Sequence, residues 1–299
     1  GSDTWFELSS EEILGEKYNS DEWEKIDDIL DVWFDSGSTQ AFVLEGNQGI
    51  GIPADLYLEG SDQHRGWFQS SLLVGCGTRG KAPFKKVLTH GFVVDKDGKK
   101  ESKSLGNVTK PEDLIKQYGA DVIRLWVVSS DFTDDLRVGQ DIMKANVESY
   151  RKIRNTFRFL LGNLDNFSED EIVDYKDMPE LERYILHKLC LIDNEVRESY
   201  KNFDLKSVFQ ILLNFSNLDL SSFYFDIRKD CLYCDSPKSN IRKSTRTVLD
   251  LLFDYLVRWF APILCFTASI LSVVLQIVSK FFSSFSMCNL RSFLSARLI

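Results

Sequence analysis

The chain has 299 residues, 43% of them hydrophobic, and a formal net charge of −9 from Lys+Arg 36 against Asp+Glu 45. That length accommodates two or more domains with cores of their own, and the ordinary composition excludes a disordered or fibrous chain. The acidic balance excludes a protein that coats nucleic acid without selectivity, although a local basic face can still meet a folded RNA.

Residues 1–30 are acidic and irregular, with Glu11-Glu12 and Asp27-Asp28 around short apolar islands, as in a connector entering a domain. The chain opens with Gly1 rather than Met and shows neither region of a signal peptide, so it reads as a piece of a longer protein. Over residues 54–59 the alternation of Leu56 and Leu58 predicts a buried strand that delivers Glu59 at its carboxyl end. A helix follows, capped by Ser61 or Asp62, with Trp67, Phe68, Ser71, Leu72 and Val74 on its apolar face. A second strand over residues 86–94 runs into the hairpin-like turn Asp95-Lys96-Asp97-Gly98-Lys99. Strand, helix and strand in that order predict a right-handed crossover in a mostly parallel sheet, with ligands beyond the carboxyl ends of the strands. Glu59, His90 and the lysine-rich segment after the turn would lie at that end.

Pro111 then starts a helix that runs through Tyr118, with Gly119 past its end, and residues 120–130 begin a long helical region. Val147, Tyr150, Ile153, Phe157, Leu160, Leu161 and Leu164 recur at threes and fours, while Arg151, Arg154 and Arg158 line another face, which predicts an amphipathic helix with a basic edge. Further periodic patterns from Leu181 to Val196, Leu205 to Leu218 and Val248 to Ile263 read as a bundle, with Arg242, Lys243 and Arg246 as a second basic group. There is no internal repeat. Residues 269–299 contain no Asp or Glu, and residues 259–279 form an uncharged span long enough on length alone to cross a bilayer. The first third of that span belongs to an amphipathic helix suited to a soluble bundle, so no membrane association is expected. The cysteines are thinly spread and read as reduced thiols of a cytoplasmic protein. Cys231 and Cys234 form a lone Cys-x-x-Cys, and a structural zinc site wants four ligands, so no zinc is expected.

The chemistry concentrates in Lys100-Glu101-Ser102-Lys103-Ser104-Leu105-Gly106-Asn107. Interleaved ammonium and hydroxyl groups on a Gly-bounded loop can meet charge that develops on phosphate oxygens. Upstream stand Asp31-Val32-Trp33-Phe34-Asp35-Ser36-Gly37-Ser38 and Tyr57-Leu58-Glu59-Gly60-Ser61-Asp62-Gln63-His64-Arg65-Gly66-Trp67-Phe68. Together the three segments resemble the second half of the catalytic domain of class I aminoacyl-tRNA synthetases, and within that class most closely the isoleucine enzymes. The run from Glu59 to Phe68 carries the narrower resemblance, because the valine and leucine enzymes are similar in the lysine loop but not there. The likeness covers residues 5–268.

The resemblance implies an α/β plus all-α architecture: the second half of a Rossmann-like, parallel-sheet nucleotide-binding domain followed by an α-helical bundle. Residues 1–30 would be the connector returning from an editing insertion, 31–104 the second half of the catalytic domain, 105–145 a stem-contact linker, 146–268 the anticodon-binding bundle and 269–299 an atypical tail. A reading-frame slip after Ala268 would account for that tail. The family's His-x-Gly-His, the first half of its nucleotide fold and its editing domain are absent, so this chain alone is expected to be inactive, with the N-terminal half as a separate chain among its partners.

By the same resemblance Lys103 would contact ATP phosphates in the transition state, with Lys100 assisting and Ser102 and Ser104 holding the loop. Glu101 stands where methionine is usual. A carboxylate facing the triphosphate would repel it, so either Glu101 points to solvent or the loop is weakened. Glu59, Gly60, Asp62, Gln63 and His90 would meet ATP and the adenylate, with His64 a further nucleotide candidate and Asp62 equally a helix cap. Trp33 and Trp67 would wall the isoleucine pocket or serve as plain core; such a pocket discriminates by only about 1–3 kcal/mol per methylene. His187 reads as structural. Arg151, Arg154, Arg158, Arg242, Lys243 and Arg246 would touch tRNA. The implied reactants are L-isoleucine, ATP with Mg2+ and tRNA(Ile). The competing reading is a non-catalytic tRNA-binding module derived from a synthetase.

Overall fold

A computed structural model describes residues 3–26, 28–46, 51–101 and 108–279, the last with side chains as far as 272. The chain divides into two units, Gly1–His90 and Gly91–Ile299.

In the first unit, the connector expected to be irregular contains two short helices, α1 (Asp3–Glu7) and α2 (Ser10–Leu14). Ser9 opens α2 with a reciprocal cap: its hydroxyl accepts the Glu12 N–H, and its own N–H donates to the Glu12 carboxylate. Helix α3 (Val32–Gly37) starts on Asp31, whose carboxylate accepts the Trp33 N–H at 2.8 Å. A wide π turn covers Gln40–Glu45. Strand β1 (Tyr57–Gly60), helix α4 (Trp67–Arg79) and strand β2 (Val87–His90) follow. The two strands pair in parallel, Tyr57 opposite Val87 and Gly60 opposite His90, so the intervening helix carries the chain back as a parallel pair requires.

Two local expectations are corrected here. Tyr57 and Gly60 are the buried residues of β1 and Leu58 is 53% exposed, the reverse of the Leu56/Leu58 pattern. Neighbouring strand residues face opposite ways, and the Tyr57 ring takes the inner face by stacking on Trp67 at 4.3 Å and packing against Phe84 at 4.6 Å. Nor do Ser61 or Asp62 cap α4. A 3-10 turn over Ser61–Arg65 precedes it, and the Gln63 side-chain carbonyl accepts the Trp67 N–H at 2.9 Å.

The second unit begins where the expected strand over 86–94 breaks. Strand β3 (Val93–Val94) does not continue β2 but pairs in parallel with β4 (Leu136–Arg137). The amides before it are satisfied elsewhere, Gly91 donating to the Phe132 carbonyl and Phe92 to the Asp135 carboxylate at 2.8 Å. Helix α5 (Pro111–Tyr118) begins at Pro111 and ends at Gly119, whose φ of 85° suits glycine. Helix α6 (Ala120–Ser129) stops short of the long region expected, because a turn held by Asp131 and then β4 intervene before α7 (Gln140–Asn163).

The bundle is completed by α8 (Glu180–Lys201), α9 (Leu205–Asn214), a π segment (Phe215–Tyr224), α10 (Phe225–Cys234), α11 (Asn240–Phe260) and α12 (Cys265–Ser279). Ile153, Phe157 and Leu160 of α7 meet Ile185 and Leu189 of α8, Leu212 of α9 and Leu252 and Leu256 of α11 in one buried core. Each such side chain contributes about 1.5–3 kcal/mol by leaving water. Polar groups fix the joints. Asp121 of α6 accepts the Phe266 and Thr267 N–H groups at the start of α12, while Arg124, one turn on, donates to the carbonyls of Pro262 and Ile263 after α11. The protein is thus mostly helical with small parallel sheets, and among the described residues no helix is long and apolar enough to cross a membrane.

Candidate functional site

Both strands of the first sheet deliver polar groups at their carboxyl ends. Glu59 and His90 lie side by side there, Oε1 to Nε2 at 3.9 Å, with side chains 52% and 42% exposed. Glu59 also accepts the Gly60 N–H at 3.0 Å. A Cβ on Gly60 would stand 2.7 Å from an Asp62 carboxylate oxygen, so glycine leaves room for Asp62 to fold back over the strand end. Gln63 donates to Asp62 while its carbonyl caps α4, which commits much of its hydrogen-bonding capacity within the protein. His64 is exposed, its ring edge-on to Phe68 at 5.7 Å.

The structure brings the Trp33 ring up to Gly66, the residue before Trp67. A Cβ at Gly66 would lie 2.9 Å from that ring. Trp67 is locked, its indole N–H donating to the Ser36 carbonyl at 3.0 Å and its face stacked on Tyr57, whereas Trp33 is 48% exposed. Behind them runs a polar line that the sequence reading missed: the Tyr57 hydroxyl bonds Ser71 at 3.0 Å, and Ser71 donates to buried Gln40. Gln40 follows Ser38 and Thr39 in sequence, and a lone buried amide leaves no periodic signal.

In the second unit the turn before the lysine segment is well built. The Asp95 carboxylate accepts the Asp97 and Lys99 N–H groups, Gly98 takes φ 80°, and Val94 bridges Lys100 in antiparallel fashion. The Lys100 ammonium stands 4.3 Å from the centre of the Phe92 ring. Ser102, Lys103 and Ser104 lie outside the described residues. The Glu101 carboxylate accepts the Thr109 N–H at 3.1 Å.

The basic groups fare differently. Arg151, Arg154 and Arg158 are exposed on α7, Arg151 paired with Glu148 at 2.7 Å and Arg154 set over the Tyr150 ring at 5.7 Å. They line one wall of a groove of about 1200 Å³. Arg242 and Lys243 are half-buried on α11. Arg246 leaves that group altogether, a correction to the expected basic face: it is 6% exposed, and its guanidinium donates to Glu171 and to the carbonyls of Asn163 and Asp165. It ties α11 to the end of α7, where unpaired carbonyls need donors. His187, read as structural, is exposed on α8, and Cys231 is buried while Cys234 is exposed.

The profile of class I tRNA synthetases (I, L, M and V) matches residues 1–139, and that of the anticodon-binding domain of tRNA ligase matches residues 182–285. The isoleucine–tRNA ligase of Pelagibacter ubique is 56% identical over 270 residues, 89% of this chain and 30% of that protein. That of Zymomonas mobilis is 54% identical over 273 residues, 90% of this chain and 29% of that protein. The chain belongs to the class I tRNA synthetases, among the isoleucine enzymes. It spans about 30% of the length of these curated synthetases, and they do not favour the module reading. A crystal structure of a LeuRS-tRNA-LeuAMS ternary complex from Agrobacterium radiobacter shares the fold at a TM-score of 0.65 and 21% identity, covering 83% of this chain and 31% of that one. The synthetase anticodon-domain match begins at Glu182, a fully buried anchor of the bundle, and runs past Ala268, where the likeness was read to end.

Proposed function

We propose that this chain serves the ATP-dependent activation of L-isoleucine and its transfer to tRNA(Ile). The observation that carries the reading is the parallel β1–α4–β2 unit with Glu59, Asp62 and His90 at its carboxyl ends, in a chain 56% identical to an isoleucine–tRNA ligase. That arrangement suits half of a Rossmann-like nucleotide fold, in which ligands lie beyond the strand ends. A carboxylate at the position of Glu59 can accept from a substrate ammonium or ribose hydroxyls, Gly60 permits close approach, and His90 and Gln63 supply further polar contacts. Trp33 and Trp67 would wall the apolar side chain. Magnesium enters with ATP on its phosphates.

Activation needs the substrate carboxylate to attack the α-phosphate in line, so the protein's work is positioning and charge stabilisation. Lys103 would act on the phosphates with Lys100, Ser102 and Ser104 in support. The bundle over 146–268 would hold tRNA through Arg151, Arg154, Arg158, Arg242 and Lys243, with 105–145 as the linker to it, and the setting would be the cytoplasm. The test is isoleucine-dependent ATP–pyrophosphate exchange. The chain alone should stay at background, and mixing it with a chain carrying the remaining length of a relative should restore exchange. Lys103→Ala in the restored enzyme should lower the rate by about 100-fold or more with a smaller change in ATP affinity, the pattern of a group that acts in the transition state. A Lys103→Ala rate equal to wild type would remove that role, and exchange supported by leucine or valine but not isoleucine would overturn the substrate.

A further inference from the structure

Helix α10 ends on the two thiols to which the sequence gives no role. Cys231 and Cys234 stand three residues apart there, and the fold separates them by environment: Cys231 is 9% exposed, whereas Cys234 faces solvent. The Cys231 thiol donates to the Arg228 carbonyl at 3.2 Å and lies 3.5 Å from the Thr245 hydroxyl, which itself donates to the buried Glu182 carboxylate at 3.1 Å. Burial pushes the Cys231 thiol up, so it stays protonated and inert while the helix is closed. Cys234 is the last residue of the helix, and Asp235 after it is already extended, at φ −73° and ψ 151°. Residues three apart on a helix have Cα atoms about 5 Å apart and Cβ atoms about 5–6 Å apart. A disulfide accepts that Cα spacing but wants about 3.5–4.5 Å between Cβ atoms, so the pair is about 1 Å too far apart in the closed helix. A terminal residue with no further helical turn beyond it can supply that distance. The other described thiols, Cys76 on α4, Cys190 on α8 and Cys265 on α12, lie on separate elements.

We infer that Cys231 and Cys234 form a dithiol modification site for hydroperoxides, whose disulfide loosens the bundle around Glu182. The exposed Cys234 thiolate attacks one peroxide oxygen, the O–O bond breaks, and the other half leaves as an alcohol or water, giving a sulfenic acid on Cys234. When the last turn opens, the Cys231 sulfur attacks that sulfenic sulfur. The S–S bond forms, the S–O bond breaks, and the oxygen leaves as water. In sum two thiols lose two electrons and two protons, and ROOH becomes ROH and H2O. Making the bond draws the Cys231 sulfur off Thr245 and opens the end of a helix whose preceding turn carries Arg228, the bidentate partner of Glu182 at 2.7 Å. A cross-link over so short a loop restrains the unfolded chain least, so the loss inside the folded bundle sets the sign of the stability change.

The experiment treats the full chain with graded hydrogen peroxide, blocks the remaining thiols by alkylation, and weighs the tryptic peptides. The peptide 230–238 holds both thiols with no Lys or Arg between them, so the disulfide reads as that peptide lighter by two hydrogens and free of alkyl groups. This form should accumulate ahead of any cross-link at Cys76 or Cys265, and the oxidised chain should melt a few degrees below the reduced one, with recovery on adding dithiothreitol. Cys231→Ser should stop at a sulfenic acid on Cys234 that dimedone traps, and Cys234→Ser should leave Cys231 reduced at the same dose. Alkylation of both cysteines while Cys76 or Cys265 reacts, a bond from Cys234 to a second chain, or Cys231 consumed as readily in Cys234→Ser as in wild type would each overturn the site. A disulfide that forms and leaves the melting temperature unchanged would overturn its coupling to Glu182.

Discussion

Glu182 is fully buried and receives a bidentate Arg228 guanidinium at 2.7 Å, the Tyr224 hydroxyl at 3.2 Å and the Thr245 hydroxyl at 3.1 Å. Burial and the neighbouring carboxylate push the Tyr224 phenol well above its ordinary range, so it stays a donor at any working pH. Removing one member of such a set leaves a buried charge without its partner, which costs about 3–5 kcal/mol. Glu182→Ala should therefore lower the unfolding free energy of the bundle by that order, read by urea denaturation, whereas an effect under about 0.5 kcal/mol would show the network to be idle. None of this was legible in the sequence, where Glu182 is one acid in an ordinary amphipathic pattern. A second buried acid sets a pH dependence. Burial first, and then nearby Asp254, push the Asp250 carboxyl up from 3.8 to about 6. Between those values the folded protein holds a proton that the unfolded chain releases, so stability is greatest below the window and falls as pH rises through it. Asp250→Asn should flatten that fall and raise stability above pH 6 by on the order of 2 kcal/mol. Melting temperatures of the two proteins across pH 4–7 that ran parallel would exclude Asp250 as the source.

Between helices the decisive contacts are often those that lack a side chain. A Cβ on Gly37 would stand 2.9 Å from the Ser70 carbonyl carbon and 3.0 Å from its oxygen, so α3 lies on α4 backbone to backbone. Backbone cannot rotate aside, and Gly37→Ala should push the helices apart at a cost of about 1–3 kcal/mol. Trp67, hydrogen-bonded to Ser36 across that joint, should report the change by fluorescence. An Ala variant with wild-type fluorescence and stability would show that the joint yields. Elements of this length divide cleanly in what the sequence foretells. Helices α5, α7, α8 and α11 and the parallel pairing of β1 with β2 are legible, because caps and apolar periods repeat over several turns. Helix α10 is not, since the π segment Phe215–Tyr224 shifts the register of the apolar face and erases the 3.6-residue period on which the reading depends. The inward face of β1 also escapes, because a four-residue strand offers too few alternations to outvote one aromatic ring.

At the scale of the whole chain, the two units have unequal means of holding themselves together. The second owns a continuous core of fully buried side chains drawn from five helices and the π segment. The first has a two-stranded parallel sheet with Leu58 53% and Val87 38% exposed, in a family whose curated members are about three times as long. Parallel sheets are stable when both faces are covered, and two strands alone are marginal in water. The motifs that resemble synthetase chemistry are legible from sequence alone because each is a local run, whereas the cover of a sheet depends on contacts between residues distant in sequence. Amide hydrogen exchange on the intact chain should therefore show β1 and β2 opening with a free energy well below that of α8 and α11, within reach of local fluctuations. Adding a chain that carries the remaining length of a relative should slow exchange at Leu58, Glu59 and Leu88 by about tenfold or more, the factor that 1.4 kcal/mol of added protection gives. Strand amides already as slow as those of α11 in the isolated chain would mean that the pair is stabilised from within and needs no partner to stand.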